Sequence, residues 1–226
     1  MTASTDYPPI RTYKPRRGRI TDRQARALTI DSPFLLRADG PLDLDSLFGQ
    51  RPVVLEIGFG TGITTAQMAA AAPDVGILAV DVHTPGIGDL VGRIHEEGLS
   101  NLRVIEGDAI QVLQDCLEPA SLAGVRSYFP DPWPKSRHHK RRLVQPGHAH
   151  VIASRVRVGG TWELATDWAP YAEHIREVLG SDAHWEGGQV DRPAWRPITH
   201  YESIGIANGR VIADFRYSRT DIGHAG

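Results

Sequence analysis

Acidic residues recur along this chain at an interval set by neither a helix nor a strand alone: Glu56, Asp81, Asp108 and Asp131 are separated by 25, 27 and 23 residues. Each lies at or just beyond the end of a short apolar run, and between the runs the pattern turns helical. The runs at 53–57, 77–82, 102–105, 125–129 and 161–165 read as strands, and 64–72, 87–97, 109–117, 148–157 and 169–179 as helices. Alternation of this kind implies βαβ units and a parallel sheet. Residues 210–217 alternate like a half-buried strand and are expected to close the sheet antiparallel. The expected architecture is a doubly wound, mostly parallel, seven-stranded α/β sheet. The carboxyl ends of its strands open on one crevice, so the four acids should converge there. Any one of them alone would be read as a helix cap.

The first acid belongs to Val54-Leu55-Glu56-Ile57-Gly58-Phe59-Gly60-Thr61-Gly62, a strand running into a glycine-rich turn. Ile63 stands where the dinucleotide fingerprint has its third glycine, which disfavours a nicotinamide cofactor. A carboxylate two residues before the first glycine would also repel a pyrophosphate and instead favours a neutral or cationic ligand. The turn resembles the first motif of the S-adenosylmethionine-dependent methyltransferases. That resemblance implies cofactor contacts from Glu56, Gly58, Gly60 and Gly62, ribose binding by Asp81 and adenine binding by Asp108.

After the fourth strand runs Tyr128-Phe129-Pro130-Asp131-Pro132-Trp133-Pro134-Lys135-Ser136-Arg137-His138-His139-Lys140-Arg141-Arg142-Leu143. This block resembles the tRNA (guanine-N7) methyltransferases, which carry Pro-Asp-Pro-Trp-x-Lys-x-Arg-His-x-Lys-Arg-Arg after the same strand. Weaker likeness extends to Arg16-Arg17-Gly18-Arg19-Ile20-Thr21, Thr166-Asp167-Trp168, and Thr199-His200-Tyr201-Glu202 followed by Gly205. His200, Tyr201 and Ile204 depart from the family's usual Lys, Phe and Arg. The resemblance implies an S-adenosyl-L-methionine cofactor, tRNA as partner and the variable-loop guanosine as target.

Guanine nitrogen 7 has an in-plane lone pair and no proton, so its attack needs positioning and electrostatics but no general base. Asp131 is the candidate catalytic carboxylate, placed between cofactor and base. Asp167 and Glu202 are candidates for the guanine edge, a recognition that suits carboxylates, with Thr199, Tyr201 and Lys135 completing the substrate set. Arg137, His138, Lys140, Arg141 and Arg142 are candidates for the RNA backbone. Trp133 has two readings, a stacking platform or core packing. A methyltransferase acting on an exocyclic amine stays open, because Asp131-Pro132-Trp133-Pro134 is similar to an Asp-Pro-Pro-aromatic loop, although Pro134 stands where the aromatic should be. So does a non-catalytic RNA binder on the same scaffold.

The net charge of −2 would suggest indifference to nucleic acid were it spread evenly. Five cations lie within 11–19 (Arg11, Lys14, Arg16, Arg17, Arg19) and five within 135–142, and setting those ten aside leaves fifteen basic residues against twenty-seven acidic. An acidic body with two basic patches suits a protein that meets phosphate in defined places. Residues 1–25 read as a flexible basic arm, 26–220 as one catalytic domain and 221–226 as a tail. Cys116 is the sole cysteine, so no internal disulfide or multi-cysteine metal site is expected. His138, His139, His148 and His150 find no third ligand at a metal-site spacing, and no metal is expected. The N-terminal residues lack the apolar stretch of a secretory signal, which with the composition points to a cytoplasmic protein. Monomer and homodimer stay open.

Overall fold

The computed structural model describes residues 12–13, 19–29 and 32–221. Eight strands form one sheet: β1 (Leu35–Leu36), β2 (Val53–Ile57), β3 (Gly76–Asp81), β4 (Leu102–Glu106), β5 (Leu122–Tyr128), β6 (Val156–Thr166), β7 (Trp185–Val190) and β8 (Ala213–Arg219), in the order β1-β4-β3-β2-β5-β6-β8-β7. The first six are mutually parallel; β8 runs antiparallel to them, and β7 pairs antiparallel with β8 and so points the same way as the six. The class is the expected one, with one strand more than the expected seven; the reversed strand, β8, is not at the edge but lies between β6 and β7. Helices are α1 (Asp22–Thr29), α2 (Leu44–Phe48), α3 (Ile63–Ala71), α4 (Thr84–Glu97), α5 (Ala109–Asp115), α6 (Pro146–Arg155), α7 (Ala169–Gly180) and α8 (His200–Ala207). None of them is long and apolar enough to cross a membrane.

Strand alternation divides the core. On β3, Ile77 and Ala79 join Leu90, Val91 and Ile94 of α4 and Ala66 and Met68 of α3, whereas Leu78 and Val80 face the cluster of Val112, Ile152, Trp162, Tyr171 and Phe215. α1, α3 and α4 therefore cover one face, and α5, α6 and α7 the other. Both sides of the central strands are apolar because both are buried. Pro85 starts α4 and Gly98, in the left-handed region with φ 67°, ends it. Ile87, Leu90, Val91 and Ile94 are fully buried, each contributing about 2 kcal/mol of transfer free energy.

Two differences from the sequence expectation have physical causes. β7 lies in a stretch that reads as irregular because Gly187 and Gly188 dilute the strand signal. Gly187 is required there, since a Cβ on it would lie 2.2 Å from the Arg216 carbonyl oxygen of β8. α1 begins at Asp22, inside the expected arm, and Gln24 packs against Gly88 of α4 while Arg23 pairs with Asp89 and Glu96. Of the five cations within 11–19 only Arg19 falls among the described residues; Arg11, Lys14, Arg16 and Arg17 lie outside them, as do 222–226 of the expected tail.

Candidate active site

The chain leaves β2 through three glycines with positive φ: Gly58 at 78°, Gly60 at 61° and Gly62 at 71°, the last capping α3. A Cβ built on Gly58 or Gly60 would meet nothing within 4 Å, so the turn is an open cradle and its glycines answer to backbone conformation, not crowding. Asp81, at the end of β3, ties this turn down. Its Oδ2 accepts the Gly60 N–H at 2.8 Å, and its Oδ1 accepts those of Val82 at 2.7 Å and His83 at 3.0 Å. Gly86, in the first turn of α4, lets that helix meet the turn, because a Cβ there would fall 1.8 Å from the Gly60 carbonyl oxygen.

Asp108 follows β4. Its Oδ1 caps α5 by accepting the Ile110 N–H at 2.9 Å, so the capping role is real, yet it also lines a cavity of about 640 Å³ with Leu35, Asp39, Glu106, Gly107 and Gln111. The Gly107 N–H donates to the Asp81 carbonyl at 3.0 Å, joining the second and third strand ends. Glu56 is 4% exposed; its Oε1 accepts the Thr65 hydroxyl at 3.1 Å and its Oε2 has no hydrogen-bond partner. Burial drives its carboxyl up to about 7, opposed by the Arg126 charge and the Thr65 hydrogen bond and reinforced by the Asp81 charge. Glu56 and Asp81 thus share one electrostatic environment.

β5 neighbours β2, so the Asp131 loop leaves from the same end of the sheet as the glycine turn. Phe129 and Trp133 hold positive φ, 55° and 44°, which only a well-braced loop retains. Bracing is extensive. Arg142, 2% exposed, donates from Nε to the Pro132 carbonyl at 3.0 Å and lies 5.1 Å from the Tyr171 ring centre. Trp133, 3% exposed, donates to the Thr12 carbonyl at 3.1 Å, with Arg141 over its ring at 4.9 Å and His138 against its edge. The Asp131 charge reaches Tyr171, whose hydroxyl pKa is pushed up chiefly by burial. Beyond the loop a 3-10 turn, Ser136–Arg141, carries Arg137 and Lys140 exposed, and Lys135 is exposed at its head.

The C-terminal segment is built around Arg196, which is 1% exposed. It donates to Glu202 at 2.6 and 3.1 Å and to both oxygens of Asp214 at 3.1 Å, and its guanidinium lies 5.1 Å from the Tyr128 ring centre and 5.8 Å from that of Phe129. Glu202 also accepts from Arg192 at 2.7 Å and completes a capping box with Thr199 at the start of α8. Burial would raise the Glu202 carboxyl, but the two arginines outweigh it and hold it below the usual range.

A family model described as "Putative methyltransferase" matches residues 50–215. The tRNA (guanine-N(7)-)-methyltransferase of Streptomyces avermitilis is 51% identical over 93% of this chain and 75% of its own length, and that of Nitrosomonas europaea 44% over 96% and 99%. The chain belongs to the tRNA (guanine-N(7)-)-methyltransferase family. Among solved structures, the 16S rRNA methyltransferase KamB superposes with a TM-score of 0.57 at 14% identity over 78% of this chain and 92% of that one. An rRNA methylase from Streptococcus thermophilus does so at 0.52 and 15%, over 79% and 92%. These two show the fold.

For this methyltransferase the structure gathers Glu56, Gly58, Gly60, Gly62, Asp81 and Asp108 at adjoining strand ends. Two expectations need correction. Glu202 is fully buried between two arginines and has no face left for a guanine, and Arg142 is spent inside the loop, not on the rim. Trp133 resolves to packing. Asp167 accepts from Arg210 at 2.7 Å on a partly exposed surface, Thr199 caps α8, and Tyr201 is exposed. Missed by the sequence reading were Gly86, Arg126, Glu163 and Arg196. The last three could have been found as charges placed where strands or an aromatic-proline segment should be apolar. Thr199-x-x-Glu202 also carries the capping-box signature in plain view.

Proposed function

We propose that this chain methylates nitrogen 7 of a guanosine in tRNA, the variable-loop guanosine, using S-adenosyl-L-methionine. The observation that carries the donor is the buried, unpartnered Oε2 of Glu56 beside an open glycine cradle. A carboxylate desolvated in this way fits a ligand bearing an amino group and a sulfonium and does not fit a phosphate. Glu56 and the glycine turn would hold the amino-acid end, Asp81 the ribose and Asp108, on its cavity wall, the adenine. When bound, this cofactor supplies an electrophilic methyl group.

The remaining work falls to the chain. Asp131, on a braced loop, offers a fixed negative charge against the positive charge that grows on the guanine ring, and preorganised charge of this kind lowers the barrier without moving a proton. Lys135, Asp167, Thr199 and Tyr201 border the same end and are assigned to the nucleoside and its flanking phosphate. Arg137, Lys140 and Arg141, with His138, form the backbone-binding rim. The relatives' names support the tRNA substrate and the ring nitrogen.

The test is methyl transfer from labelled cofactor to unmodified tRNA, with nuclease mapping of the product. Label is expected on nitrogen 7 of the variable-loop guanosine, and Asp131→Ala is expected to lower the rate at least a hundredfold with an unchanged melting temperature. Label on an exocyclic amine would favour the alternative chemistry, and cofactor binding without turnover would favour a binder.

A further inference from the structure

Four side chains of alternating sign cross the sheet on the face that carries α3. Glu56 of β2 is in register with Arg126 of β5, Arg126 with Glu163 of β6, and Glu163 with Arg216 of β8. Glu163 is well supplied: Arg216 donates to its Oε1 at 3.1 and 2.6 Å, and the Tyr128 hydroxyl donates to its Oε2 at 3.0 Å. Arg126 is held more loosely from that side, its Nε 3.6 Å from the same Oε2. Its guanidinium lies 4.8 Å from the Trp195 ring centre and reaches the Met68 sulfur of α3 at 3.9 Å. On its other flank is Glu56, with one buried oxygen that nothing bonds.

We propose that Arg126 is a positioning residue for the donor site: across the boundary between β2 and β5 it supplies the positive field that keeps the buried Glu56 carboxylate ionised and ready for a cationic ligand. Glu163, Tyr128, Arg216 and Trp195 hold Arg126 in place. This rests on the donor reading above. A purely structural arginine would serve Glu163, which Arg216 and Tyr128 already satisfy. The groups facing Glu56 are Thr65 from α3, Asp81 from β3 and Arg126 and Tyr128 from β5. Asp81 opposes ionisation and Thr65 favours it through one hydrogen bond. Among the described residues Arg126 is the only cation facing Glu56.

The experiment is calorimetric binding of S-adenosylmethionine to the full chain between pH 5.5 and 9. It compares wild type, Arg126→Gln, Arg126→Met, Arg126→Lys and Glu56→Gln, each checked by thermal melting. The ligand's own titration is common to all and cancels. Wild-type affinity should fall on the acid side with a midpoint near 7. The neutral variants should move that midpoint up by about one unit or more, the usual influence of an adjacent opposite charge, and Arg126→Lys should not. If either neutral variant folds and keeps the wild-type midpoint, Arg126 does not act through Glu56. Glu56→Gln should bind weakly with no acid-side fall. If it instead binds as tightly as wild type at every pH, the donor reading fails whatever Arg126 does.

Discussion

Burying Glu56 should make the ligand-free protein less stable at neutral pH than it need be, and Glu56→Gln exposes that cost. The folded carboxyl titrates at about 7 against an ordinary 4.5. Between those values the folded chain holds a proton that the unfolded chain has released, so stability falls as pH rises from 4.5 to 7 and is level above. The gap corresponds to about 3 kcal/mol. Glutamine carries no charge at any pH. Its Oε1 can keep the Thr65 hydrogen bond, while its Nε2, where Oε2 had no partner, leaves a buried donor unsatisfied at a cost of about 1 to 2 kcal/mol. The net expectation at pH 8 is a variant more stable by about 1 to 2 kcal/mol, or roughly 4 °C in melting temperature for a chain of this size. At pH 5 the folded carboxyl is protonated and itself carries a buried O–H, so most of the gain is lost and the difference should shrink toward zero. Thermal melts of ligand-free wild type and variant across pH 5 to 8.5 read this directly, since other titrations cancel in the difference. A difference of constant sign and size across that range would refute the reasoning.

Arg196→Met leaves Asp214 a buried carboxylate without its arginine and Glu202 with Arg192 as its one remaining cation, and should cost about 3 to 5 kcal/mol in urea unfolding, with partial recovery on adding Asp214→Asn. Gly86→Ala should weaken cofactor binding at least tenfold by calorimetry, because its Cβ must displace the Gly60 carbonyl. Gly147→Ala, whose Cβ would meet nothing within 4 Å, should leave binding unchanged. Replacing Arg137 and Lys140 together by Gln should reduce the slope of log affinity for tRNA against log salt by up to about 2, with little change in cofactor affinity.

The sheet and the crevice were legible because parallel strands buried on both faces leave dense apolar runs, and because strand-end acids repeat at the length of one βα unit. What escaped was of three kinds. β7 is a strand despite two glycines, since close approach of β8 overrides propensity. α8 is signalled by Thr199 and Glu202, but the same two residues belong to a family motif that points to substrate contacts, and the two signals compete. Arg126, Glu163 and Arg196 lie in segments whose local pattern gives no partner for a charge; their partners come from neighbouring strands or across the loop, a pairing that only register reveals. Arg142 shows the same limit, one of five cations within 135–142 and the one buried inside the loop.

Asp81 fixes the glycine turn from the neighbouring strand end. Three main-chain amides from two loops converge on its carboxylate, so the cradle is held in shape by the chain's own bonds. A ligand arriving there spends little of its affinity on ordering the chain, and its capture should be governed by diffusion into the cleft, with amide exchange in the turn slow before as well as after binding.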